Sequence, residues 1–134
     1  MTSILLSGLQ PALADWTEVA ITVPPASGVT PKTLSDGSGG AIIAWLGIDG
    51  LYVHHLLSTD ALDPSWPAAG VLIATGVAGG APGGLIADGA GGAIVTWADQ
   101  SETPDIRAGH VLASGAVDPS WPSGGALLCS AAGN

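Results

Sequence analysis

A ten-residue run occurs twice in this chain. Residues 36–45 read DGSGGAIIAW and residues 88–97 read DGAGGAIVTW, 52 residues later. A second pair follows in the same order. Asp63-Pro64-Ser65-Trp66-Pro67 returns as Asp118-Pro119-Ser120-Trp121-Pro122, 55 residues later, so the second copy carries about three extra residues between its motifs. A period of this length means one supersecondary unit that completes its core by stacking on copies of itself. It constrains architecture far more than activity.

Each copy predicts four short strands. In the first, these are 33–35, 41–46, 51–58 and 71–74, and in the second 85–86, 93–98, 106–114 and 126–129. The Asp-Gly-x-Gly-Gly runs between first and second strands are turns, because Asp bonds its own main chain two residues on and Gly supplies positive φ. Gly is 21 of 134 residues and Pro 10, and glycine punctuates short apolar runs without a triplet period, which excludes collagen. Four antiparallel strands in about 50 residues is the size of a β-propeller blade. The expected fold is therefore all-β, with four-stranded antiparallel blade repeats. Its parts are a partial blade over 1–32 (third and fourth strands) and full blades over 33–84 and 85–134. In the partial blade, residues 4–7 and 19–21 read as strands, and Trp16 lies near the Trp66 position. A closed ring needs about four to eight blades. Half, whole and whole do not close, so completion by homo-oligomerisation, or by further blades of a longer chain, is expected. A β-sandwich and an open solenoid are the competing architectures.

Charge narrows the partners. The net charge is −9, with Lys32 and Arg107 the only basic side chains besides histidine. Counterion release at phosphate needs basic residues, so nucleic acid is excluded as a partner, and an anionic membrane surface likewise. Mean hydropathy is +0.49, yet no apolar run approaches the roughly 18 residues that span a bilayer. Only 10% of residues are charged, which favours burial of surface against other chains. The segment 1–14 ends in Ala12-Leu13-Ala14 but lacks a positive n-region, and it reads as strand and loop.

Candidate chemistry is sparse. His55 and His110 occupy equivalent positions on the apolar face of their strands. They are expected to be buried, structural and harder to protonate than a free imidazole, with Asp36 or Asp88 opposing that shift. His54 points the other way and is expected to face solvent. No convergent set of three or four ligands suggests a metal, no nucleophile elbow is present, and the lone Cys129 reads as an inert buried thiol. No enzymatic activity and no cofactor are expected. Trp45 and Trp97 end a strand and read as equivalent core residues. Trp66 and Trp121 lie in Pro-flanked loops beside Asp63 and Asp118, a combination suited to stacking on sugars.

The runs DGxGGAIVxW and, at residues 105–115, DIxAxxVxASG resemble a repeat of large bacterial secreted and surface proteins with propeller-like domains. The first copy departs from it at 52–56. The resemblance covers roughly residues 33–129 and implies an extracellular or cell-surface setting. It leads to a non-catalytic structural and interaction module. A lectin-like binder of glycans, or an accessory fragment of a larger secreted enzyme, are the alternatives.

Overall fold

The computed structural model describes residues 30–130, and all nine elements among them are strands. The expected strands within the partial unit, and Trp16, lie outside the described residues. Strands β1 (Lys32–Ser35), β2 (Ala41–Leu46), β3 (Leu51–Leu56) and β4 (Val71–Ala74) form one antiparallel sheet in the order β1-β2-β3-β4. A second sheet holds β5 (Val77–Ala78), β6 (Leu85–Ala87), β7 (Ala93–Asp99), β8 (Ile106–Val111) and β9 (Ala126–Cys129). Its order is β5-β7-β8-β9, with β6 also paired to β7. The short β5 was not expected, and it joins the second sheet although it lies within 33–84.

Register makes the repeat literal. Ile42 faces His55 and Ala44 faces Val53 in the first sheet, while Ile94 faces His110 and Thr96 faces Ala108 in the second. Both sheets carry a register shift at the same place, Leu51/Tyr52 and Ile106/Arg107. The three extra residues fall in the β7–β8 hairpin. There Asp99 accepts from Ser101 and from Arg107 Nε at 2.8 Å. The third strands end earlier than expected, at Leu56 and Val111, because tight turns follow. Leu57 N–H donates to Ala61 and Leu112 N–H to Ala116, both at 2.8 Å.

The two sheets stack. The face bearing Ile42, Ala44, Leu51 and Val53 packs on the opposing face bearing Ala93, Val95, Trp97 and Val111, as one buried cluster. Ile73 of β4 reaches across to Trp97 and Gly109. Alternation along each strand sets these faces. Trp97 therefore sits in the joint core. Trp45 holds the matching register position but lies on the far face of the first sheet, buried and stacked on Tyr52 with ring centroids 5.8 Å apart. Gly70 and Gly125, both at positive φ, lie against the edges of these two indoles.

Candidate functional site

The two repeated motifs of each unit meet on its histidine. Asp36 uses Oδ1 to accept from the N–H groups of Ser38 (2.7 Å) and Gly40 (2.8 Å). That closes the Gly-rich turn, in which Gly37 and Gly39 hold φ of 79° and 92°. Its Oδ2 then lies 3.1 Å from His55 Nε2. On the other side of the ring, His55 Nδ1 is 2.9 Å from Oδ2 of Asp63, whose Oδ1 accepts from the Ser65 N–H and hydroxyl. The second unit repeats every bond. His110 Nε2 is 2.9 Å from Asp88, and its Nδ1 is 2.8 Å from Asp118. Each histidine thus clamps the first turn and the third-to-fourth-strand loop to the sheet.

A carboxylate only accepts, so an imidazole held between two of them donates from both nitrogens and is a cation. Burial, the largest single influence on His55, opposes charging, but Asp36 and Asp63 together outweigh it and its pKa is raised. For His110 the bond to Asp88 leads, and the pKa is again raised. The expected downward shift is therefore reversed: both rings sit partly open at the sheet margin, at 15% side-chain exposure. The carboxylates move the other way. Ser38 and then His55 lower Asp36, and His110 leads in lowering Asp88. The Ser120 hydroxyl leads for Asp118, and the Ser65 hydroxyl for Asp63, which is pulled down to about 2. With both nitrogens engaged, neither ring offers a lone pair to a substrate or to a metal.

His54 is a correction. It is 1% exposed, and its ring stacks on Trp66 at 6.0 Å and 16°. Outward orientation does not mean solvent when both faces of a sheet are covered. Its Nε2 and the Trp45 Nε1 are buried without a hydrogen-bond partner among the described residues. Cys129 is a second correction, since its thiol is exposed on β9.

The paired loop tryptophans diverge. Trp66 is 3% exposed, and its indole N–H donates to the Ala113 carbonyl of the second unit at 3.1 Å. That leaves no open face for a sugar. Trp121 is half-buried, and its ring centroid lies 5.7 Å from that of His110, tilted by 50°. It lines a cavity of about 460 Å³ with Leu72, Ile73, Gly109, His110 and Asp118. The expected ligand carboxylates, Asp63 and Asp118, already hold serine and histidine partners.

The sequence did not reveal that one histidine joins both motifs. The signal was available, because Asp, His and Asp recur together with their neighbours. No family model, no curated protein and no solved structure matches this chain.

Proposed function

We propose that this chain is a non-catalytic, β-propeller-like structural and interaction module. It assembles with a second copy of itself through the faces of its four-stranded blades. One observation carries the reading: equivalent apolar positions are covered in the first blade and open in the second. Leu51 is 0% exposed and its counterpart Ile106 is 40%; Ile73 is 7% and its counterpart Leu128 is 57%. Leu34 packs against the core, whereas its counterpart Ile86 is exposed. In the first blade these positions are covered by the Trp97 face of the second. The outer face of the second blade keeps the same apolar side chains with nothing of the chain's described residues over them.

An open apolar sheet face of this kind supports association. The Trp45 face of the first blade, which holds the register positions of the Trp97 face, is already covered, so the matching surface is the same open face, around Ile86, Ile106 and Leu128, of a second copy. Such a contact pairs the same patch on both copies and closes about a two-fold axis. The sequence resemblance supports an extracellular or surface setting for such a module.

The test is a charge placed on the open face. Ile106→Asp combined with Leu128→Asp is expected to leave melting unchanged in dilute protein and to abolish self-association in light scattering. Undiminished association of that variant overturns the reading.

A further inference from the structure

We infer that the cavity beside Trp121 is a binding site for a neutral pyranose ring of a glycan. The first blade shows what this position accommodates. There the flat ring of His54 lies on the indole of Trp66, at 6.0 Å and 16°. In the second blade the residue in that register position is Gly109, because Val95 pairs with Gly109 as Ile43 pairs with His54. Gly109 is required by its surroundings. A Cβ there would stand 2.7 Å from a methyl of Ile73 and 3.2 Å from the Trp97 ring. The inter-blade core therefore keeps position 109 bare, and the cavity of about 460 Å³ lies between Gly109 and Trp121.

The walls suit a hydroxylated ring. Trp121 offers an apolar platform beside Pro119 and Pro122, and an indole N–H can only donate. Asp118 and Ser123 also line the space. Each oxygen of a carboxylate has two lone pairs, so Asp118 Oδ2, bonded to His110 Nδ1, can take one hydroxyl donor more. A pyranose presents C–H groups on a face and hydroxyls on its rim, which fits an apolar pocket with a few polar groups. The net charge of −9 disfavours an anionic ligand. Every wall belongs to one chain, so the site goes beyond the assembly proposed above and does not depend on it.

The test is a titration of indole-¹⁵N-labelled protein with methyl glucoside, methyl galactoside and methyl mannoside, followed by NMR. The Trp121 indole signal is identified by its loss in Trp121→Phe. That signal is expected to shift and saturate with at least one sugar at a Kd on the order of millimolar, as a single small ring permits. The Trp66 signal stays still. The same shift is expected in the Ile106→Asp variant, so loss of assembly and loss of binding read separately. No shift with any of the three sugars overturns the proposal, as does an equal shift of both indoles. A response to imidazole or indole alone also overturns it, in favour of an aromatic ligand. The wild-type protein decides each outcome, whatever the stability of a variant.

Discussion

The Trp66 indole donates its N–H to the main-chain carbonyl of Ala113, 3.1 Å away in the next repeat. That bond ties a loop of the first unit to the turn after β8. Trp121, the same residue of the same motif one repeat later, lines a cavity instead, with its ring centroid 5.7 Å from that of His110.

This asymmetry is measurable. Trp66→Phe removes the hydrogen bond to Ala113 and part of a buried indole, and is expected to lower stability by at least about 1 kcal/mol. Trp121→Phe is expected to stay within about 0.5 kcal/mol. Urea unfolding of both variants in dilute protein checks the pair. Equal losses would mean that the bond does not join the units.

Trp97→Ala is expected to cost about 3–5 kcal/mol, because the indole is fully buried between the sheets. Trp45→Ala should cost a similar amount, since that indole is equally enclosed. Melting close to wild type in either variant would contradict the assigned burial.

Stability is expected to peak in mildly acidic solution. His55 and His110 have raised pKa values, so the folded chain holds protons that the unfolded chain releases. Their contribution is complete below about pH 6.5 and is lost as pH rises through the folded values. Asp36, Asp63, Asp88 and Asp118 are lowered. Their contribution is present above about pH 4 and is lost as pH falls through their folded values, which for Asp63 is about 2. Urea midpoints across pH 3 to 9 should fall on both sides of this window, by amounts reduced by the partial exposure of the groups. A midpoint that climbs from pH 6 to pH 8 would refute the cationic clamp.

The same clamp predicts indifference to chelators. Both nitrogens of each ring face carboxylates at 3.1 Å or less. Excess EDTA at neutral pH should leave the melting temperature unchanged in calorimetry. A drop that His55→Gln and His110→Gln remove would reassign these residues as metal ligands.

Much of the fold was legible because periodicity and turn chemistry agree. Strands β2, β4 and β9 fall where the sequence puts them, and the three-residue difference between offsets is one longer hairpin. The histidine clamps were only half legible. Asp36 and Asp63 lie 19 and 8 residues from His55; the register of β2 on β3 brings the first to the ring, and the turn after β3, where the Asp63 N–H donates to the His55 carbonyl, brings the second. Alternation places His54 opposite His55, but the first sheet buries residues on both faces, so that direction does not lead to solvent. The Trp66 and Trp121 motifs have the same sequence, so their difference belongs to position in the stack. The pair Val77 and Ala78 was too short to register as β5.

The central claim is that the outer face of the second unit takes another copy. Sedimentation velocity of the whole chain tests it most directly. The account predicts a species that grows with concentration beyond the 13.0 kDa of one chain, and that falls back to one chain when Ile106 and Leu128 carry charge. A sharp 13.0 kDa boundary at every concentration would contradict it.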